Sequence, residues 1–144
     1  MLFMHREKCV HGVNPFGRFF CAQTQAVERV MAKKWLAVDF DETVACGERE
    51  VPLAVESLVR LQAAGWRLIL LTMREGVGLE MALRWCEARG LHFDAVNECP
   101  DFPRSRKVFA HVSVDDRAVG CPTRRFRGKD VVDWEGVMAQ LRGR

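Results

Sequence analysis

Short apolar runs alternate with amphipathic segments along most of the chain. Residues 35–38 form an uninterrupted apolar run, and residues 67–71 form a second one that is apolar after its first position. Runs of this kind are typical of strands buried on both faces of a parallel sheet. Shorter runs at 93–97 and 111–114 predict two more strands. The pattern therefore predicts a sheet of four strands.

Between these runs, apolar residues recur at helical spacing. The first predicted helix opens at Pro52, carries Leu53, Val55, Leu58, Val59 and Leu61, and ends near Gly65. The second carries Leu79, Ala82, Leu83 and Cys86 before Gly90, and the last starts at Asp133 with Trp134, Val137, Met138 and Leu141 on its core side. Strands that alternate with helices predict an α/β fold, here a three-layer α/β/α, Rossmann-like domain with a mainly parallel sheet.

Length and charge set the domain organisation. The chain has 144 residues with 49% hydrophobic content, which suits one domain. Residues 1–34 hold six basic and two acidic residues, a balance of +4, whereas residues 35–144 hold 16 and 17, a balance of −1. We interpret residues 1–30 as an N-terminal extension that need not be ordered, and residues 31–144 as the folded domain. A solvated tail is favoured over one that binds nucleic acid or membrane.

Composition also bears on location. No run approaches the roughly 20 apolar residues that span a bilayer. The six cysteines show no paired spacing, and there is no secretory signal, so they are expected to be reduced thiols. We therefore expect a cytoplasmic protein that does not associate with membranes.

Two aspartates lie where the first predicted strand ends. Trp35 to Val38 would deliver Asp39 and Asp41 to the carboxyl edge of the sheet, where parallel sheets bind ligands. The two carboxylates would repel each other there, and a divalent cation would remove the repulsion. Hard oxygen ligands of this kind suit Mg²⁺. The sequence therefore predicts a Mg²⁺ cofactor at this edge.

Three further features follow in order along the chain. The second predicted strand ends at Thr72, whose hydroxyl suits a phosphoryl oxygen, and Lys107 then offers a compact positive charge. The fourth strand ends at a second acidic pair, Asp115 and Asp116. Asp-x-Asp-x-Thr, strand-Thr, Lys and strand-Asp-Asp, in that order, resemble the four motifs of the haloacid dehalogenase (HAD) superfamily. Most members of that superfamily are Mg²⁺-dependent phosphatases.

The resemblance covers residues 34–142 and implies an enzyme, a capless phosphomonoester hydrolase that acts through an aspartyl-phosphate. By this resemblance Asp39 would attack phosphorus, and Asp41 would protonate the leaving oxygen and then activate water. Thr72 and Lys107 complete the catalytic set. The metal ligands it implies are Asp39, the backbone carbonyl of Asp41, Asp115 and, through water or by orienting the other ligands, Asp116.

The substrate is less well defined by the sequence. Contacts to it are predicted at Thr43, Thr72, Arg74 and Lys107. Members of the superfamily usually select the leaving group with a cap domain inserted after the first motif or after the second strand. The corresponding gaps here, residues 44–51 and 73–106, leave no room for a cap. An open site favours a large phosphorylated substrate, or a small one covered by a second copy of the chain or by the N-terminal extension.

Two sequence features qualify this picture. Many relatives carry glycine after the second aspartate, whereas this chain has Glu42, which we interpret as adjusting the local turn. Several arginines are also positioned to form a basic rim that guides a polyanion such as a nucleic-acid end, although an ordinary solvated surface is favoured. These are Arg104, Arg106, Arg124, Arg125 and Arg127.

Three alternatives remain beside the phosphatase. A phosphoacceptor receiver domain uses similar residue types, but its acidic pair comes first and its acceptor aspartate later. In this chain, the two acidic pairs bracket Thr72 and Lys107, which argues against a receiver. A phosphate-binding module without turnover would be expected to lack part of the set, and the set is intact. A phosphatase acting on polynucleotide ends is the third alternative.

Overall fold

The computed structural model describes residues 11–13, 19–21 and 34–142. The chain divides into two units, residues 1–33 and 34–144. In the first, strand β1 (His11–Val13) pairs antiparallel with β2 (Phe19–Cys21). The rest of the predicted extension, residues 1–30, lies outside the described residues, so its role stays a prediction.

The second unit has the alternating order that the sequence predicts. Its elements are β3 (Trp35–Val38), β4 (Ala45–Cys46), β5 (Arg49–Glu50), α1 (Ala54–Ala63), β6 (Arg67–Leu70), α2 (Gly76–Glu87), β7 (Ala95–Val96), β8 (Val112–Val114), β9 (Thr123–Phe126), β10 (Lys129–Val132) and α3 (Trp134–Leu141). The main sheet has the order β7-β6-β3-β8, and all of its neighbouring strands are parallel. The predicted α/β fold without a cap domain is confirmed.

The register of the main sheet brings the ends of its strands level. Val38 of β3 lies opposite Leu70 of β6 and Val114 of β8, and Leu70 lies opposite Val96 of β7. The backbone pairing continues one residue further, since the N–H of Asp39 donates to the carbonyl oxygen of Val114 at 3.0 Å. Polar residues that follow these strands therefore meet at one edge.

Both faces of the sheet are covered, but by different kinds of structure. On one face, alternate residues of β3 and β6 belong to the same buried cluster as the core residues of all three helices. On the other face Trp35, Ala37 and Ile69 pack with Cys99, and Val108 contacts the same cluster. Irregular chain between β7 and β8 forms the layer over this second face, and residues 97–111 contain no helix.

The helix ends follow the sequence signals with one difference. Gly65 and Gly90 follow α1 and α2 with φ of 97° and 74°, a left-handed conformation that favours glycine. At the start of α1 the carboxylate of Glu50 accepts a hydrogen bond from the N–H of Val55 at 3.1 Å. Asp133 does precede α3 as predicted, but its side chain makes no capping hydrogen bond.

Within residues 34–142, two antiparallel hairpins were not predicted. The short β4–β5 pair lies in the gap at residues 44–51, and its Ala45 and Cys46 are buried. The β9–β10 hairpin lies between β8 and α3 and pairs Phe126 with Lys129 across a two-residue turn. Among the described residues, no helix is long and apolar enough to cross a membrane.

Trp134 joins the last helix to the loop that follows β3. Its side chain is fully buried, and its indole Nε1–H donates to the carbonyl oxygen of Thr43 at 2.8 Å. Through this buried hydrogen bond, α3 holds the loop that carries Asp39 and Asp41.

We expect Trp134→Phe to lower the free energy of unfolding by about 1–3 kcal/mol, because it leaves the buried Thr43 carbonyl without a donor. Urea denaturation measures the loss. The matched control is Trp85→Phe, since the partly buried Trp85 also donates from its indole to a backbone carbonyl, that of Glu48 at 3.1 Å, but in a hydrogen bond that is exposed to solvent. Equal losses in the two variants would contradict the role given to the buried bond.

Candidate functional site

A cleft of about 340 Å³ lies at the carboxyl edge of the main sheet. The residues that line it come from the ends of β3, β6 and β8. They are Asp39, Asp41, Glu42, Leu71, Thr72, Met73, Asp115, Asp116 and Arg117. The predicted meeting of the two acidic pairs and Thr72 at one edge therefore occurs.

Three carboxylates converge in this cleft. One oxygen each of Asp39, Asp115 and Asp116 lies within 4.8 Å of the other two. All three side chains are partly buried, and they come from two separate strand ends. Three hard oxygen donors on one side of an open cleft suit a cation that keeps some of its waters. The cluster fits a metal ion, and its donors alone do not identify which one.

Burial and the closeness of the carboxylates raise pKa values within the cluster. Burial raises the pKa of Asp39 to about 6, and the negative charges of Asp115, Asp116 and Asp41 add to the increase. A hydrogen bond from the backbone of Phe40 opposes it. The pKa of Asp116 is also raised, first by burial and then by Asp115. Holding these charges together therefore costs the folded protein free energy.

The loop after β3 is a tight turn that aims the two aspartates. The carbonyl oxygen of Phe40 accepts hydrogen bonds from Val44 at 2.8 Å and Ala45 at 3.0 Å. Glu42 has a positive φ of 56°, a left-handed backbone conformation that is unfavourable for residues other than glycine. The interpretation of Glu42 as a turn residue is consistent with this backbone, and Glu42 is among the residues that line the cleft.

Thr43 lies below the cleft and is not among the residues that line it. Its side chain is fully buried, and its hydroxyl donates to Oδ2 of Asp39 at 3.4 Å. The same hydroxyl accepts the N–H of Asp116 at 3.3 Å. Thr43 therefore connects the two acidic loops, which is a supporting role and differs from the predicted substrate contact.

Thr72 lines the cleft and is held by a residue that the sequence analysis missed. Its N–H donates to Oδ1 of Asn97 at 2.8 Å, and its carbonyl oxygen accepts Nδ2–H of Asn97 at 2.8 Å. Asn97 itself has a positive φ of 53°. One feature of the sequence could have identified Asn97. It lies at the end of the third predicted strand, level with Thr72 at the end of the second.

Arg74 is occupied by Asp41. Its Nη2 and Nε donate to the two carboxylate oxygens of Asp41 at 2.7 and 3.0 Å, a two-pronged ion pair. The guanidinium also lies over the ring of Phe40, with 4.8 Å from Cζ to the ring centre. The hydrogen bond to Asp41 raises the pKa of Arg74. The carboxylate of Asp41 is thereby directed to Arg74 and not to the three-carboxylate cluster.

Lys107, like Thr43 and Arg74, is a predicted site residue that is not among the residues lining the cleft. Its side chain is exposed and is not among the lining residues. Its backbone carbonyl accepts the hydroxyl of Ser105 at 2.7 Å in the irregular segment. By contrast, Met73 and Arg117 line the cleft although no motif or spacing along the chain marks them.

A basic residue of the β9–β10 hairpin contacts the site loop from outside. Lys129 Nζ lies 2.5 Å from Oε1 of Glu42, and this ion pair raises the pKa of Lys129. The hairpin is also bonded through its backbone, because the N–H of Val132 donates to the carbonyl oxygen of Glu42 at 3.0 Å. The hairpin is therefore attached to the loop that carries Asp39 and Asp41.

Comparison with protein-family models and with curated proteins finds no match. Among solved structures, a conserved protein from Bacteroides thetaiotaomicron is similar, with 38% sequence identity and a TM-score of 0.63. The alignment covers 77% of this chain and 91% of that one. The chain belongs to the family of this Bacteroides protein. The relationship establishes the family and the parallel α/β fold, and it carries no activity with it.

The raised pKa of Asp39 has a consequence for stability. Its value of about 6 lies above the ordinary 3.8, so the metal-free folded state holds the proton more tightly than the unfolded chain does. The resulting stabilisation is fully present at pH below the ordinary value and is lost as pH rises through the folded value. We expect urea denaturation of the metal-free wild type to show this loss across that interval, relative to Asp39→Asn.

At pH above the folded pKa of Asp39, a divalent cation that binds the cluster should restore the lost stability in the wild type. The same cation should stabilise Asp39→Asn less. Identical pH profiles for the two proteins in a chelator would contradict the pKa assigned to Asp39.

Proposed function

We propose that the protein is a Mg²⁺-dependent phosphomonoester hydrolase of the HAD type that acts through an aspartyl-phosphate. The observation that supports this most is the convergence of Asp39 with Asp115 and Asp116 in a cleft that Thr72 also lines. The motif order of the HAD superfamily assigns a distinct chemical role to each of these positions.

The proposed cation site uses oxygen donors that are present. Asp39, Asp115 and Asp116 would hold the ion, together with the backbone carbonyl of Asp41 that the resemblance implies. When bound, Mg²⁺ supplies positive charge that offsets the charges of the carboxylates and of the phosphoryl group. The closeness of the three carboxylates supports this assignment, because a cation between them turns their mutual repulsion into attraction.

Asp39 is the proposed nucleophile. A carboxylate oxygen of Asp39 attacks phosphorus in line, and the bond between phosphorus and the ester oxygen breaks. Asp41 donates a proton to the departing oxygen, so that an alcohol leaves. Asp41 then takes a proton from water as the water oxygen attacks phosphorus. This attack breaks the bond between phosphorus and the Asp39 oxygen, releases inorganic phosphate and regenerates both carboxyl groups. Thr72 would donate its hydroxyl hydrogen to a phosphoryl oxygen.

The Asp41–Arg74 pair places a condition on the first proton transfer. Both oxygens of Asp41 accept hydrogen bonds from Arg74, whereas a general acid must donate. In the proposed cycle, the guanidinium turns from Asp41 to the phosphoryl oxygens when substrate enters, which frees Asp41 to take up a proton from solvent and donate it to the leaving oxygen. Arg74 then supplies the substrate-bound positive charge that the sequence analysis assigned to Lys107 as well. Lys107 receives no role here, because it is exposed outside the cleft lining.

We expect purified protein to release phosphate from p-nitrophenyl phosphate with Mg²⁺ and to lose at least about a thousandfold in kcat when Asp39 becomes Asn, since the nucleophile is then gone. A chelator should abolish turnover, and added Mg²⁺ should restore it. Asp133→Asn, which removes a carboxylate outside the cleft, is the control and should retain activity. Binding of phosphate analogues without any turnover would favour a non-catalytic phosphate-binding module.

We expect Arg74→Lys, which keeps the charge but removes the two-pronged contact, to lower kcat/KM by about tenfold for an alkyl phosphate and for p-nitrophenyl phosphate alike. In the proposed cycle Arg74 contacts the phosphoryl oxygens, and both esters share this group. Arg84→Lys, on the exposed side of α2, should change neither. A much larger loss for the alkyl phosphate, whose leaving oxygen needs a proton from Asp41, would contradict the release of Asp41 by Arg74 before proton transfer.

A further inference from the structure

The β9–β10 hairpin concentrates positive charge beside the cleft. Four of its residues are basic and one is acidic, and all five are exposed: Arg124, Arg125, Arg127, Lys129 and Asp130. Its apolar residues face the protein, since Val131 and Val132 are fully buried and Phe126 packs against the core. The charge that the hairpin presents to solvent is therefore mostly positive.

Two of these cations are already matched by carboxylates. Arg125 Nη1 lies 3.1 Å from Oδ1 of Asp130 across the hairpin, and Lys129 is paired with Glu42. Within residues 34–142, Arg124 and Arg127 make no ion pair. These two guanidinium groups are available to a ligand.

One of the two, Arg127, lies in the turn of the hairpin and has an unfavourable backbone conformation. Arg127 and Gly128 have φ of 50° and 80°, the conformation of a type I′ turn. Asn and Gly are the residues that such turns prefer, and a left-handed conformation is unfavourable for a residue with a β-carbon such as arginine. An arginine kept at such a position suggests a use for its side chain.

The hairpin is attached to the proposed catalytic loop, so a ligand on it would lie near the cleft. The backbone bond from Val132 to Glu42 and the Lys129–Glu42 ion pair form this attachment. On the β8 side of the cleft, exposed Arg117 is among the lining residues. Cationic groups therefore lie both at the cleft wall and on the hairpin, while the cleft itself is mainly acidic.

We propose that the hairpin binds the sugar-phosphate backbone of a single-stranded nucleic acid and thereby presents its terminal phosphate to the cleft. This rests on the proposed function, for which a chain-end phosphate is a phosphomonoester. Arg124 lies in β9 and Arg127 in the turn that follows, so the two guanidinium groups start from separate points, and a ligand with repeated phosphates can engage both. The N–H groups of an arginine guanidinium can donate two hydrogen bonds to the oxygens of one phosphate. The hairpin exposes no large apolar side chain of the kind that inserts into a membrane surface.

The test compares two double variants that remove the same amount of charge. Arg124→Gln with Arg127→Asn removes both unpaired cations of the hairpin, and asparagine suits the type I′ turn, so folding is preserved. Arg60→Gln with Arg84→Gln removes two exposed arginines from α1 and α2 as the control. Binding is read from the fluorescence anisotropy of a labelled oligothymidylate with a terminal phosphate, in a chelator, so that turnover does not interfere.

We expect wild type and control to bind the oligothymidylate with an affinity that falls with salt, at a log–log slope of about −1.4 for the two phosphate contacts of Arg124 and Arg127. The hairpin variant should bind at least about tenfold more weakly with a shallower slope. Equal binding by the two double variants, a flat salt dependence, or stronger binding to vesicles of acidic phospholipid would each overturn the proposal.

An activity measurement separates this inference from the proposed function. With Mg²⁺, the hairpin variant should show a raised KM for the phosphorylated oligothymidylate and an unchanged kcat/KM for p-nitrophenyl phosphate. Turnover of p-nitrophenyl phosphate with no preference for the oligonucleotide would overturn the hairpin proposal and leave the phosphatase standing. Salt-dependent oligonucleotide binding with no turnover of either ester would overturn the phosphatase and keep the hairpin as a nucleic-acid site.

Discussion

The level ends of three parallel strands are the constraint on which the rest of the structure depends. Because Val38, Leu70 and Val114 lie opposite one another, the residues that follow them share one edge. A shift of one residue in either pairing would turn Asp39 or Asp115 away from the common cleft, since side chains alternate between the faces of a strand. The fully buried Leu36, Leu68 and Leu70 fix this register by packing against the helices.

The carboxylates at this edge repel each other, and buried hydrogen bonds hold the loops that carry them in place. Thr43 joins the loops of Asp39 and Asp116 through one hydroxyl, and Trp134 holds the Thr43 carbonyl from α3. Asn97 holds the backbone of Thr72 in the same way from the neighbouring strand. The carboxylates therefore remain close although burial and mutual repulsion raise the pKa of Asp39. Such preorganisation suits a site that binds a cation.

Sequence alone predicted the parts of this arrangement that depend on strong local patterns. The apolar runs before Asp39 and Asp115 mark strands, and the carboxyl-edge rule then places both residues together. The β9–β10 hairpin escaped prediction because Thr123 to Phe126 is mostly polar and its turn is Arg-Gly instead of Asn-Gly. The position of Lys107 depends on irregular chain with no periodicity. The Arg74–Asp41 ion pair depends on how two loops fold toward each other, which no spacing along the chain encodes.

Titration calorimetry of Mg²⁺ into wild type, Asp39→Asn and Asp115→Asn tests the central claim most directly, because these two side chains come from different strands yet share one proposed ion. Circular dichroism of each variant first checks that the fold is retained. The account predicts one site per chain in the wild type and a loss of affinity of at least about tenfold in each variant. Unchanged binding in either variant would contradict the convergence of the two strands on one cation.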